Sequence, residues 1–282
     1  MLNKKSKILF IILLIYILCF AFRSFEYFVL RTDQTFWGEA FIHKLIGVMI
    51  FYAVAKIYGM NLKDIGFEKN SVLRNLLKGF GLGLSVFTVA YIVEILILVI
   101  YNKFAMVQIY VSAYAIDGNI GNQTTLIFFI ICIIGNIINV IMEEGMFRGL
   151  FQKMLEHKYS FIVSAVISSS LFAIWHIMAP IRSYYDGMIG VSGLLVNMIM
   201  LITTSGIIGF KFCLLTKMTG SLYMSISDHF VNNTIVNTFH VISDTGVDNL
   251  QVVRIAVAQS LSFIVVLIYY TRNYKRKLEY EN

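Results

Sequence analysis

Proline is almost absent: Pro180 is the only one in 282 residues. Charge is scarce as well, with Asp, Glu, Lys and Arg together making 14% of the chain against 58% hydrophobic residues. That balance is too apolar and too charge-poor for an ordinary soluble domain. The three cysteines, Cys19, Cys132 and Cys213, fall in apolar segments at unrelated spacings, so neither a disulfide framework nor a cysteine metal cluster is indicated. No internal repeat, low-complexity tract or long soluble linker divides the chain. Residues 1–282 therefore read as one membrane-embedded domain, all-α, a polytopic helix bundle.

What the chain has in abundance is long apolar runs. A bilayer crossing needs about 20 residues of helix, and eight segments approach that length: Ile8 to Phe22, Leu45 to Met60, Gly79 to Tyr101, Leu126 to Leu150, Phe161 to Ala179, Val191 to Leu214, Ser221 to Val241 and Leu250 to Tyr270. About eight transmembrane helices are expected, the first two being short. The opening Lys4, Lys5 and Lys7 before an apolar run looks like a secretory signal, but Cys19-Phe20-Ala21-Phe22-Arg23 lacks the small-x-small cleavage pattern. It reads as a retained anchor. Between spans, Asn61 to Lys78 is expected to carry an amphipathic surface helix around Leu73, Leu76 and Leu77, and Gly118-Asn119-Ile120-Gly121 suits a turn.

Lys and Arg accumulate in cytoplasmic segments of membrane proteins. With both termini inside, 17 of the 23 basic residues fall on the inner side, Arg148 and Lys211 among them, and the outer side holds Arg23, Arg31, Lys44, Lys103, Arg182 and Arg254. This bias supports an even number of spans in a multi-pass cell-membrane protein. The net charge of +7 then reflects topology and contact with anionic lipid of the bilayer. Nucleic acid is not expected as a partner, because there is no soluble basic domain.

Ionisable groups inside such segments are costly and rarely kept without a partner or a task. The fourth span holds Asn136, Asn139, Glu143, Glu144 and Arg148. At about 100° per residue, Asn136, Asn139 and Glu143 share a face, while Glu144 and Arg148 are four apart and can pair on the next one. Glu144 with Arg148 reads most simply as an ion pair; Glu143 has no evident cation. In the fifth span Phe172 and His176 lie one turn apart on a helix ended by Pro180. Glu143 and His176 are each about 16 to 17 residues from a turn near Tyr159 and Ser160, so adjacent antiparallel helices bring them to similar depth. In the seventh span His229, Asn233, Asn237 and His240 form one polar stripe, which is expected to face the bundle interior. His229 lies only about 14 Å along its helix from Gly220, shallower than Glu143, so one hairpin must project further than the other. His43 and His157 sit in polar flanks and are expected to be solvated. Glu94, alone in the third span, is expected to be either protonated and hydrogen-bonded or facing a cavity.

Glu143-Glu144-x-x-x-Arg148, Phe172-x-x-x-His176 and His229-x-x-x-Asn233, in that order on separate membrane helices, resemble the CPBP family of intramembrane proteases, also called Abi or type II CAAX-protease-like proteins. Each motif alone is short and common; the ordered set is specific. The resemblance covers residues 126–241. It implies hydrolysis of a peptide bond in a membrane-associated or lipid-modified peptide or protein. Glu143 would act as general base, His176 would help to hold water, His229 and Asn233 would stabilise the oxyanion, and Glu144, Arg148 and Phe172 would support the site.

No cofactor is favoured. A zinc version, with Glu143, His176 and His229 as ligands, stays open beside it. His-Glu-x-x-His and Gly-x-Ser-x-Gly are missing, which disfavours other intramembrane protease types. Two other classes remain: a catalytically silent scaffold, immunity or regulatory protein on the same bundle, and a transporter, which would be expected to show repeated halves or paired broken helices. The Ile/Lys/Asn-rich composition has a bacterial look, and peptide precursors or membrane-anchored regulators are then the expected substrates.

Overall fold

The computed structural model describes residues 4–112 and 121–275. The turn expected at Gly118-Asn119-Ile120-Gly121 lies, but for Gly121, outside these. Among the described residues ten α-helices follow one another: α1 (Lys4–Phe25), α2 (Ile42–Ile57), α3 (Val72–Ile100), α4 (Leu126–Glu144), α5 (Gln152–Glu156), α6 (Phe161–Trp175), α7 (Met178–Tyr185), α8 (Val191–Thr219), α9 (Tyr223–Thr238) and α10 (Gln251–Tyr269). Three short strands, β1 (Phe104–Ile109), β2 (Phe239–Ser243) and β3 (Gly246–Val247), form an antiparallel sheet in that order.

The helical bundle expected from the apolar runs is there. Among the described residues six helical stretches are long and apolar enough to cross a membrane: Lys7–Gln34, Val72–Ile100, Leu126–Glu156, Phe161–Tyr185, Val191–Thr219 and Gln251–Arg272. The other two expected spans become α2 and α9, each 16 residues long, or about 24 Å of helix against a hydrocarbon core of about 30 Å.

Local chemistry sets these boundaries. Ser160 caps α6 by accepting from the Val163 amide. The helix ends at Trp175, earlier than expected, and Pro180 does not end it: proline sits in the first turn of α7, where a missing N–H leaves no broken hydrogen bond. Gly220, at φ +65°, stops α8 in the left-handed conformation that glycine adopts without strain. Residues 72–78 do not lie on a surface as a separate helix; they are the first two turns of α3, and the Gly66 carbonyl ahead of them accepts from the Leu222 amide beneath the α8–α9 turn.

The polar stripe expected along the seventh span stops short of His240. Helix α9 ends at Thr238, Phe239 is extended, and its carbonyl accepts from the Tyr91 hydroxyl at 2.6 Å. The β-branched and aromatic alternation of Phe239-His240-Val241-Ile242 then pairs as β2, with Gln108 opposite His240. His240 is buried in that sheet, its Nδ1 2.6 Å from Asp248 Oδ2.

Two other expectations are corrected by ion pairs. Glu94 neither stands alone nor faces the cavity: Arg254 NH1 donates to its Oε2 at 2.7 Å. His43 is buried, with its Nδ1 2.6 Å from Glu26 Oε2, whereas His157 is exposed. Buried pairing also removes several cations from the topology count. On the expected inner side these are Arg148 and Lys211; on the expected outer side Arg23, Lys44, Arg182 and Arg254 are buried, which leaves Arg31 and Lys103 there.

The core has two principal parts. One is largely aromatic and joins α1, α2, the end of α4 with the helical turns after it, and α6 through Tyr16, Phe51, Met142, Phe147, Phe151, Phe172 and Trp175. The other joins α3, α9 and α10 through Phe87, Tyr91, Val236 and Ala258. Helix α9 is enclosed by α3, α4 and α8. Its approach to α3 depends on Gly79, where a Cβ would stand 2.1 Å from the Met224 carbonyl oxygen. Small residues at such crossings let backbones come close in membrane bundles.

Candidate active site

Glu143 and Glu144 are the last two residues of α4, and the chain continues as a π-helical stretch, Gly145–Phe151, before α5. Single π-turns inside α-helices are frequent at functional sites. Here the rod carries on helically to Glu156, so Glu143 lies 13 residues from its end while His229 lies in the second turn of α9. The α5–α6 hairpin therefore projects further than the α8–α9 turn, which resolves the depth mismatch between the two motifs.

The two glutamates part in direction. Glu144 and Arg148 are both fully buried, with NH1 donating to Oε1 at 3.2 Å as the four-residue spacing suggests. The guanidinium stacks over Phe172 at 4.0 Å and lies 5.2 Å from the Phe212 ring. Gly209 on α8 makes room for it, since a Cβ there would meet Arg148 NH2 at 3.0 Å and Phe172 Cδ1 at 3.1 Å. Glu143 turns toward the histidines. Its Oε1 accepts from the Trp175 indole N–H at 3.1 Å, and its Oε2 lies 3.6 Å from His229 Nε2. The other nitrogen of His229, Nδ1, stands 2.9 Å from Glu144 Oε1, so one imidazole bridges both carboxylates. Phe212 stacks on it with centroids 5.0 Å apart.

His176 follows the last residue of α6. Its Nδ1 is 2.8 Å from the Phe172 carbonyl oxygen and so carries the hydrogen, which leaves Nε2 with a free lone pair. Phe172 packs edge-on against it, with ring centroids 4.6 Å apart. Asn233 stands one turn beyond His229, and its Oδ1 accepts from Asn232 Nδ2 at 2.9 Å.

Glu143, His176, His229, Asn233 and Phe172 all line one cavity of about 390 Å³, together with Asn136, Asn139 and Asn237. The structure thus brings together the base, water-holding and oxyanion candidates, with Glu144 and Arg148 behind them. His240 is the residue of the expected stripe that it leaves elsewhere. Trp175 and Phe212 were not singled out from the sequence; in apolar segments an aromatic side chain looks like ordinary core, and only the contact with Glu143 or His229 distinguishes it. Among the described residues no group of three His, Cys, Asp or Glu side chains is disposed to hold a metal ion.

Residues 124–235 match the family model of type II CAAX prenyl endopeptidase Rce1-like proteins. This stretch belongs to the CAAX-protease-like family. The matched residues contain all seven motif positions, from Glu143 to Asn233, and run from just before α4 through most of α9. Outside the CAAX-protease-like stretch lie α1 to α3 and α10, which pack against it. No curated protein sequence matches the chain significantly. With six helical stretches fit to cross a bilayer among the described residues, the chain is a membrane protein that contains a CAAX-protease-like stretch.

Proposed function

We propose that this chain is an intramembrane endopeptidase that hydrolyses a peptide bond of a membrane-associated or lipid-modified peptide without a metal. One observation carries the proposal: the bridged pair Glu143–His229–Glu144 meets the cavity beside His176 and Asn233. Glu143 takes a proton from a water whose other hydrogen bonds to His176 Nε2, and later delivers that proton to the leaving amine. Trp175 holds the Glu143 carboxylate in orientation. As the carbonyl oxygen becomes negative, Asn233 Nδ2 and, in the imidazolium form, His229 Nε2–H donate to it. Preorganised donors of this kind are most effective where water is scarce. Glu144 and Arg148 fix the His229 ring. We place both termini on the cytoplasmic side, which agrees with the one-sided distribution of the unburied basic residues.

The test is cleavage of a fluorogenic library of hydrophobic and lipid-modified peptides by detergent-purified protein. Glu143→Gln should lower turnover by about 10²–10⁴-fold, the contribution of a positioned general base, with unchanged thermal unfolding. A strong chelator should leave wild-type turnover intact. Equal turnover by Glu143→Gln would overturn the reading, chelator-sensitive cleavage would overturn its metal-free form, and cleavage of no peptide would favour a silent scaffold.

A further inference from the structure

Asn233 is the last member of a hydrogen-bonded chain that begins at Lys211, a wholly buried lysine on α8. The Lys211 ammonium meets three oxygens: Asp228 Oδ2 at 2.6 Å, Gln259 Oε1 at 3.0 Å and Ser262 Oγ at 3.1 Å. An ammonium has three donors and no acceptor, so Gln259 must turn its carbonyl oxygen toward it. The Gln259 NH2 then donates to Asn232 Oδ1 at 2.8 Å. Asn232, its oxygen taken, donates Nδ2 to Asn233 Oδ1 at 2.9 Å.

A carboxamide can usually be turned over with almost no change of shape, its orientation being set only by its partners. Here the end member can only donate, and that fixes every amide after it. With its oxygen occupied, Asn233 has its NH2 to offer at the cavity wall. Had it been reversed, a carbonyl oxygen would face a developing negative charge.

We propose that Lys211, Gln259 and Asn232 are positioning residues that polarise Asn233, so that it presents N–H donors to the reacting carbonyl oxygen. The proposal rests on the hydrolytic reading given above. The chain crosses from α8 through α10 to α9, and Gln259 and Ser262 lie beyond the CAAX-protease-like stretch. The oxyanion donor is therefore oriented by a helix outside that stretch. The same ammonium holds Asp228, the residue before His229, so both arms of the His229–Asn233 motif are tied to one buried cation.

Two substitutions at one position separate polarity from packing. Gln259→Glu keeps the shape but can only accept; Asn232 must then donate to it, and Asn233 must donate to Asn232 and turn its oxygen to the cavity. Gln259→Leu breaks the link without imposing a direction. The expected result is a kcat loss of about 10²–10³-fold for Gln259→Glu, the effect of removing one oxyanion donor, with KM within about twofold. For Gln259→Leu the loss is roughly two- to tenfold, because Asn233 keeps a competent fraction.

A second readout does not need activity. In protein labelled with [15N]Asn, the Asn233 NH2 resonance, identified by its disappearance in Asn233→Asp, should exchange with D2O more slowly in Gln259→Glu than in wild type. Should Gln259→Glu not fold, Asn232→Asp imposes the same reversal one step later. Equal kcat losses for the Glu and Leu variants, or unchanged Asn233 exchange in Gln259→Glu, would overturn the relay. A wild type without hydrolysis would overturn the reading on which it rests, and the exchange measurement alone would then decide whether the amides are oriented as argued.

Discussion

Replacing Lys211 with Met tests how much the packing of α8 against α9 depends on one buried charge. Lys211 and Asp228 are both nearly inaccessible, at 1% and 2% exposure, and their charged atoms are 2.6 Å apart. At an effective dielectric of about 20 the attraction is roughly 6 kcal/mol. Removing each ion from water costs several kcal/mol, so the net worth of the pair is small. Breaking it is another matter. Lys211→Met leaves Asp228 charged, desolvated and unpaired, and should destabilise the protein by about 3–5 kcal/mol. Lys211→Met with Asp228→Leu removes both ions and should recover most of that loss. The assay is equilibrium unfolding of the detergent-solubilised bundle, followed by circular dichroism. A loss below about 1 kcal/mol for the single variant, or a double variant weaker than either single one, would refute the reasoning.

Trp175→Phe removes the hydrogen bond to Glu143 Oε1 from a buried ring; a bond to a charged group is worth about 1.5–3 kcal/mol, so unfolding should show a loss of at least that size, and kcat on the peptide cleaved by wild type should fall as the carboxylate loses its orientation. Gly79→Ala should separate α3 from α9, because its Cβ would stand 2.1 Å from a backbone oxygen; unfolding measurements should show a loss of about 1–3 kcal/mol, the usual cost of overpacking. At the sheet, burial alone raises the Asp248 carboxyl, but the hydrogen bonds from His240 and the Val241 amide and the charge of Arg254 outweigh it and hold the group below the ordinary aspartate range. Its folded pKa is depressed, so its contribution to stability is present above the unfolded value of about 4 and disappears as pH falls through the lower folded value. Asp248→Asn should flatten that part of the stability curve, read as unfolding midpoint against pH from neutrality downward.

Much of the bundle was legible because its signals are local. Apolar runs mark the long helices, four-residue spacing paired Glu144 with Arg148, and equal distances from a turn brought Glu143 and His176 to one cavity. What was not legible depends on contacts between distant segments. Lys211 was counted as a cytoplasmic charge, since nothing near it in sequence announces Asp228 or Gln259. His240 kept the helical spacing of the stripe before it, but the strand from 104 to 109 offered a partner that ended the helix. Glu94 lacked a cation in its own span and found Arg254 160 residues away. Trp175 and Phe212 carry no mark in the sequence that separates a site wall from a core.

Helix α9 has a consequence for how the protein is made. In 16 residues it carries Ser225, Ser227, Asp228, His229, Asn232, Asn233 and Asn237, and at the centre of a spanning helix an aspartate alone opposes insertion by about 2.5–3.5 kcal/mol. Such a segment cannot leave the translocon for lipid as an independent unit. It is accommodated by the helices made before it, α3, α4 and α8, which pack against it, while Lys211 on α8 is already waiting for Asp228. Biogenesis is thus expected to run from the apolar wall inward, with the segment that carries His229 and Asn233 entering a protein pocket instead of the bilayer.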